Sequence, residues 1–593
     1  MFQRLYELGN FLGTDQLDPW DLLNQGMAEN YDRGLAICFD QDGDYVGVKH
    51  ILGNQGVIFV PGPGANSAPL IPCTPLSQKM DTKIKYLFAC TEDNAQEEMA
   101  EGWKSWFQAV SWQKKDLQQR VVVDLADKAV EAGIGTKWTD KKRTRSGYCF
   151  PARFVDDLVQ PVYELESAKR LMVKKAVSVW SKYGLRRGVC SICTQSTEVF
   201  GNFSELKCYN LDKPGMISGG FLIKQVDRNF PVCEPCALTI SYAINYARKN
   251  LQARVAGQDY LVLPYCTIGG EPLENIKEEL EANPSRFSIS SQCDPLVNFE
   301  EELLTFMQEE QLKEQLAFAL VFFQAKQKEW KILGEVQQVL PGRMREIQAA
   351  NTNVSEDPLL VNAGKDKQPL TVNGWTLSEF SGGSGNNTSG RIVRQWLAAI
   401  FEGGTVDQKF VLHLICKKIM LVQRQKQQVN QFHAAQAWSL YLLFNFLDLF
   451  PQGGKPMETK FPDSPMGRYM QNHTDFFHRP EMIVAFLTGS YVSTVVSVQA
   501  KKRDLKPSKA PFLKKFIGRL LNRKLFKRLF REGHDKLAQY EALGIVVKNG
   551  LEADLAQTWV DCGDKWLISD DEATFGFTLG YSLAWRISSD EKK

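Results

Sequence analysis

Histidine is scarce in this chain, six among 593 residues. Hydrolases that hold a catalytic metal through clustered imidazoles draw on several at short spacing, and that pattern is absent. Long hydrophobic runs are missing as well. The longest apolar stretch, around Leu440 to Phe450, is broken by Asn445 and Asp448 and falls far short of the ~20 apolar residues a membrane helix needs. The first residues, MFQRLYELGNFLGTD, lack an apolar core followed by small residues, so no signal peptide is visible. These absences lead us to expect a cytoplasmic protein with no membrane partner. Acidic residues are nearly absent from one stretch. From Lys501 to Arg531, 13 Lys and Arg accompany a single acid, Asp504. That block carries +12 in a chain whose net charge is +2, which leaves −10 for the remainder. Such a concentration is an electrostatic footprint for a polyanion.

What is present belongs to a globular protein: 44% hydrophobic and 24% charged residues, enough chain for roughly three or four domains. Thirteen cysteines, an odd number with no secretory leader, argue for a reducing compartment and metal binding ahead of disulfides.

The order of patterns gives an α+β multidomain fold. An N-terminal α/β body (1–185) precedes a zinc-binding subdomain (186–268). A mixed hairpin and helical middle region (269–450) leads to a C-terminal all-α helical bundle (457–593). In the first part, GLAICF (Gly34 to Phe39), a DQDGD turn and YVGVKHI (Tyr45 to Ile51) predict a hairpin. VIFV (Val57 to Val60) and KYLFAC (Lys85 to Cys90) read as strands, and a helix carries Trp103, Trp106 and Phe107. In the middle, a helix is expected near Phe299 to Gln311, then a hairpin from LAFALVFFQ and WKILGEVQQV. Residues 351–390 read as loop-rich, ending in the linker-like SGGSGNNTSG. Beyond Arg391 the text is helical.

The strongest motif is Cys190-Ser-Ile-Cys193 with Cys233-Glu-Pro-Cys236. A CxxC turn presents two sulfurs to one ion, and two such turns complete a tetrahedral shell for zinc. Four protein ligands leave no open position for water, so the zinc would be structural. The 39 intervening residues hold an inserted subdomain, and Cys208 within it has no paired partner. The same insert carries CYNLDKPGMISGGF (Cys208 to Phe221), whose glycines permit close backbone approach. Lys213 there could reach a phosphate or a base edge, or the segment is an ordinary tight turn.

The basic block has internal structure. At 100° per residue, Phe512, Leu513, Phe516, Ile517, Leu520 and Leu521 share one half of a helix. From Arg523 to Arg531 the apolar stripe of Leu525, Phe526, Leu529 and Phe530 is rotated by about half a turn. One straight helix cannot bury both stripes on one side, so the chain either breaks near Asn522 or is sandwiched between two neighbours. Lys501, Lys502, Arg503, Lys514, Lys515, Arg519, Arg523, Lys524, Lys527 and Arg528 are the phosphate-binding candidates, since each cation on a phosphate releases counterions. A smaller cluster, Lys137, Lys141, Lys142, Arg143 and Arg145, flanks Trp138, which suits a nucleic-acid groove or an exposed loop. PGPGANS (Pro61 to Ser67) reads as a surface turn whose small residues could also admit a DNA groove, with Asn66 on a base edge.

Catalytic patterns are thin. His534-Asp535 forms an HD pair, the basis for an alternative reading as a metal-dependent nuclease or phosphohydrolase, but further His and Asp ligands are wanting. GNNTSGR (Gly385 to Arg391) imitates a phosphate loop without its Lys or a preceding strand. No enzymatic activity is expected.

Taken together, CSIC, YNLDKPGMISGGF and FPVCEPC, in that order and spacing, resemble the large subunit of a type I-B CRISPR Cascade, the antiviral surveillance complex. EMIVAFLTGSYVSTVVSVQ (Glu481 to Gln499) heads a helical tail that fits the same family. The resemblance implies a ribonucleoprotein subunit that reads the protospacer-adjacent motif (PAM) in double-stranded target DNA. It would stabilise the R-loop and recruit a helicase-nuclease, while crRNA pairing supplies the remaining specificity. Its other partners would be the Cascade backbone and small subunits. The C-terminal bundle is similar to that small subunit, which lines the displaced strand. It also implies a second polypeptide made by internal translation from Met457, 137 residues long, with Met466 and Met482 as other starts. Gly453-Gly454 can be encoded by a purine-rich ribosome-binding sequence a short distance upstream.

Overall fold

A computed structural model describes residues 1–24, 33–52, 73–76, 80–88, 101–134, 147–181, 184–201, 203, 228–266, 316–326, 329–382, 387–451 and 464–587. The sequence expectations at 57–60, 61–67, 137–145, 208–221 and 299–311, and Met457, lie outside these residues.

The N-terminal sheet is built on β1 (Arg33–Phe39) and β4 (Gly147–Val155), which run parallel. The expected hairpin is present: β2 (Tyr45–Leu52) pairs antiparallel with β1. β3 (Thr74–Pro75) and β5 (Leu158–Pro161) both pair with β4. Strand β1 is buried on both faces, as a continuous apolar run in a parallel pair requires. Leu35, Ile37 and Phe39 meet Trp106, Trp112, Val121 and Leu125 from the helices Glu101–Ala109 and Lys115–Glu131 and the turn between them. Ala36 and Cys38 face Tyr148, Phe150 and Tyr163 on the other side. In its described part, Lys85 to Phe88, the strand expected over Lys85 to Cys90 is not formed: Ile84–Tyr86 is a 3-10 turn, and Ile84 and Leu87 are buried against the same core.

A second sheet has the order β11-β10-β9-β8, with β8 at Gln252–Val255, β9 at Gln258–Cys266, β10 at Leu316–Lys326 and β11 at Glu329–Val339. The β10–β11 hairpin is the one expected from LAFALVFFQ and WKILGEVQQV. Its register with β9 means that strands on either side of residue 268 share one sheet. Residues 351–390, expected to be loop-rich, are irregular from 357 to 373 apart from a 3-10 turn, and helical on either side. The helix Pro341–Glu356 runs into them, and Gly374–Phe380 and the start of Asn387–Glu402 are helical. Buried Leu359, Leu360, Val372, Leu377 and Phe380 anchor the segment to the core.

The C-terminal part is helical. Pro480–Lys502 is surrounded by Arg523–Gln539, Leu551–Cys562 and Asp570–Ile587. Gln408–Lys426 and Gln431–Phe446 pack on Asp570–Ile587 from the other side. A helix apolar all round is a buried one, and Pro480–Lys502 is the longest apolar element, in place of the Leu440 to Phe450 stretch. It is long and apolar enough to cross a membrane by length and composition, yet 78% of its most apolar window is buried inside the protein. Its closest neighbour approaches through glycine. A Cβ on Gly489 would lie 2.2 Å from the Phe577 carbonyl oxygen, and one on Gly580 1.9 Å from that of Phe486. Only bare backbone permits that crossing.

Candidate metal centre and nucleic-acid interface

The first pair of cysteines sits in the turn of a hairpin, β6 (Leu185–Val189) and β7 (Ser196–Phe200). Cys190 donates its amide to the Gln195 carbonyl at 2.9 Å and accepts the Thr194 amide on its own carbonyl at 3.0 Å, closing the turn. Thr194 takes a positive φ of 61° to do so. The second pair opens the helix Glu234–Asn250: Cys233 is its N-cap and Pro235 stands in its first turn, where the ring costs no hydrogen bond. The two arms are held together by backbone. Ser191 donates to the Pro231 carbonyl at 2.7 Å, and Phe200 and Val232 form a bridge. Behind them the helix Phe2–Phe11 packs closely on Glu234–Asn250. Gly9 lies so near that a Cβ would come within 2.5 Å of Thr239 Cγ2.

The four sulfurs lie within 4.8 Å of one another, and Cys190, Cys233 and Cys236 are buried. Zinc held by four thiolates at about 2.3 Å sets its sulfurs about 3.8 Å apart, and the Cys193–Cys233 separation is 3.8 Å. The amides of Ile192 and Cys233 both donate to the Cys190 sulfur at 3.4 Å, the outer-shell support a ligating thiolate receives. Hydrogen bonding from the Cys236 thiol, aided by the Cys236 amide and the other two thiols, lowers Cys233 to about 5. The same contact raises Cys236. The helix N-terminus at which Cys233 stands favours its thiolate in the same direction. Cys190, Cys193, Cys233 and Cys236 can hold one metal ion, and they leave no protein-free corner for substrate. They are the one grouping of three or more metal-competent side chains among the described residues.

His534 joins no such group. Its Nδ1 meets Glu552 Oε1 at 2.6 Å, and Asp535 points to solvent. Of GNNTSGR, the described residues from Asn387 onward are the first turns of a helix.

The basic block folds in two parts. The helix expected over Phe512 to Leu521 is replaced by 3-10 turns, Pro507–Lys509 and Pro511–Lys515, and by a reversal at Gly518, φ +66°. Arg424 Nε donates to the Gly518 carbonyl at 2.9 Å, while the Gly518 amide donates to Gln423 at 2.9 Å. These two partners outbid the helical hydrogen bonds the local pattern favours. The break at Asn522 is present. Its side chain accepts the Leu525 amide and caps Arg523–Gln539. Phe512, Leu513, Phe516, Phe526 and Leu529 are buried, so both apolar stripes reach the core from a bent chain.

The fold sorts the ten candidate cations. Lys501, Lys502, Lys514, Arg519 and Lys524 are exposed, with no carboxylate partner among the described residues. Lys501 and Lys502 form the last turn of their helix, where the dipole also favours positive charge. Arg503 donates to the Tyr540 hydroxyl at 3.1 Å. Lys515 and Arg528 both pair with Glu532, Arg528 at 2.7 Å. Arg523 donates to the carbonyls of Gly563 and Asp564. Lys527 lies 5.8 Å over the Trp559 ring. Lys506, Lys509 and Arg531 are exposed in the same block and join the free set. Arg424 borders it from another helix, a contact no local pattern could announce. Lys137, Lys141, Lys142, Arg143, Arg145, Lys213 and Asn66 lie outside the described residues.

Two family models match. One, the central domain of CRISPR-associated protein TM1802, covers residues 187–339, the cysteine hairpin and second sheet. The other, the C-terminal domain of the same protein, covers residues 377–593, the helical part with the basic block. A hairpin carrying four convergent cysteines, followed by a helical bundle with an unpaired cationic face, is thus the architecture of a CRISPR-associated protein. The chain belongs to the CRISPR-associated TM1802 family, a Cascade-type large subunit. Curated proteins gave no match. Proteins of this class work with other CRISPR-associated proteins and with nucleic acid.

Proposed function

We propose that this chain is the non-catalytic large subunit of a crRNA-guided type I-B Cascade in the cytoplasm. It recognises the PAM in double-stranded DNA, stabilises the R-loop and recruits the helicase-nuclease, alongside the backbone and small subunits. The carrying observation is the set of exposed cations, Lys501, Lys502, Lys514, Arg519 and Lys524, with no carboxylate partner among the described residues. Each phosphate neutralised adds to affinity and to its salt dependence. Zinc in the four-cysteine site is structural, fixing the hairpin to the helix Glu234–Asn250.

The test replaces Lys501, Lys502, Lys514 and Arg519 with Glu in the full chain. DNA binding should weaken, and the slope of log K against log salt should fall by about 3, for ~0.7 per single-strand phosphate contact. An unchanged slope would end the assignment. For the enzymatic alternative, the protein is incubated with DNA and divalent metal; cleavage lost in His534→Ala would replace this reading.

The internal product beginning at Met457 belongs to the same proposal. Met482 is buried within Pro480–Lys502, so a start there would cut into the central helix, which favours Met457 or Met466. Changing the Met457 codon to a non-start codon should remove a small band that co-purifies with the complex.

A further inference from the structure

Beside the cationic helix Arg523–Gln539 stands an aromatic feature that the charge pattern does not announce. Trp559, on the helix Leu551–Cys562, stacks on Trp566 with ring centroids 5.8 Å apart and planes 22° apart. Both are half-buried. The next residue after each is an exposed apolar one, Val560 at 73% and Leu567 at 64%. The Lys527 ammonium lies 5.8 Å over Trp559, and Phe526 supports Trp566 from below at 5.7 Å. The turn joining the tryptophans is fixed. Arg523 holds the carbonyls of Gly563 and Asp564, Glu481 accepts the Leu567 amide at 2.9 Å, and Arg479 donates to its carbonyl at 2.8 Å. Packing alone does not call for indoles here. Both Nε1 atoms are buried without an acceptor among the described residues, a cost that a phenyl or leucyl side chain would avoid.

We infer that Trp559 and Trp566, with Lys527 beside them, form a stacking platform for the unpaired bases of a single strand. This rests on the proposed nucleic-acid role of the basic block and adds the form of ligand it prefers. Every base offers a π face, so stacking on an aromatic ring is sequence-tolerant, and the neighbouring lysine neutralises the backbone that follows. A duplex keeps its bases stacked and gains only the electrostatic part. The platform therefore gives the bundle a preference for a separated strand over the duplex it came from.

The test uses the full chain with a fluorescein-labelled oligothymidylate and a labelled duplex of equal length, titrated at several salt concentrations. Trp559→Leu should weaken single-strand binding by about tenfold, the worth of one stacked base. Duplex binding and the salt slope should stay as they were. Trp559→Phe should restore binding to within about threefold. Val560→Glu, a change at an exposed position that leaves the core intact, should also weaken the single strand. Normal single-strand binding by Trp559→Leu and Val560→Glu would overturn the platform. If the Lys501, Lys502, Lys514 and Arg519 replacements lower affinity in the same assay, the electrostatic reading survives that failure. If they too have no effect, both fall. Intact strand binding with lost association to other complex subunits would make this face a protein interface and overturn the platform.

Discussion

The cysteine site and the basic block are opposite solutions to placing like chemistry together. In the first, four side chains converge on one point, their sulfurs within 4.8 Å. In the second, ten cations diverge, some outward to solvent and the others onto Glu532, Tyr540, Trp559 and the 563–564 turn. Convergence is written into local spacing, because a CxxC turn determines where its two sulfurs go. Divergence is decided by whatever the fold brings alongside, and in this bundle Tyr540, Trp559 and the 563–564 turn come from outside the block, while Glu532 is a neighbour on the same helix as Arg528. A metal centre can be read as a motif. A charged surface can be read only as a total until its internal partners are subtracted.

The sharpest way to break this comparison is to remove convergence. Structural zinc contributes on the order of 10 kcal/mol to folding in small zinc modules. Full-length protein should carry about one zinc, and Cys190→Ser should abolish it. Chelator should lower the thermal unfolding temperature of the wild type and leave the variant unmoved. Metal analysis and melting curves check both, and zinc-free wild-type protein that melts normally would sink the site.

A smaller effect is expected from the basic block, because its geometry depends on one backbone reversal. Gly518 has a φ of +66°, and a Cβ there would lie 2.5 Å from Arg424 Cγ. Gly518→Val meets both strain and clash, and should cost about 2 kcal/mol in denaturant unfolding. It should also disturb strand binding, since Lys514 and Arg519 flank the turn. Gly550→Ala is the control. It has a φ of +72° with open space around its Cβ position, so its cost should be lower and strand binding should be retained.

How much could be read beforehand divides along the same line. Gly34 to Ile51 formed its hairpin and Leu316 to Val339 formed another because alternation and turn residues act between neighbours. The clustering of the four cysteines and the break at Asn522 are equally local. The helix written in Phe512 to Leu521 failed because Gln423 and Arg424, nearly a hundred residues earlier, take the Gly518 amide and carbonyl. The stretch 357–373 is irregular, as its composition leads one to expect, yet Leu359 and Val372 are buried in the core, a long-range contact its composition does not announce. The Trp559–Trp566 pair carries no spacing rule, since a turn held by Arg523, Arg479 and Glu481 brings the rings together.

The finest test concerns Glu532, a carboxylate that pairs with two cations of the basic block, Lys515 and Arg528. Its hydrogen bond from Lys515, then that from Arg528, holds its carboxyl below the ordinary value of 4.5. A lowered folded-state value means the ionised form is favoured in the native protein. Its stabilisation is thus present above the unfolded value, and is lost as pH falls through the lowered one. Glu532→Gln should therefore cost about 1 kcal/mol at neutral pH, the scale of a pair of partly exposed ion pairs. The difference from wild type should vanish in acid below the lowered value, where both side chains are neutral. Binding should move the other way. With Lys515 and Arg528 released, affinity for a single strand should rise, and the salt slope should steepen by up to about 1.4, two contacts at ~0.7 each. A variant that loses stability without gaining affinity would mean that the two cations point away from the strand even when free, and the cationic face would then consist of the unpaired residues alone.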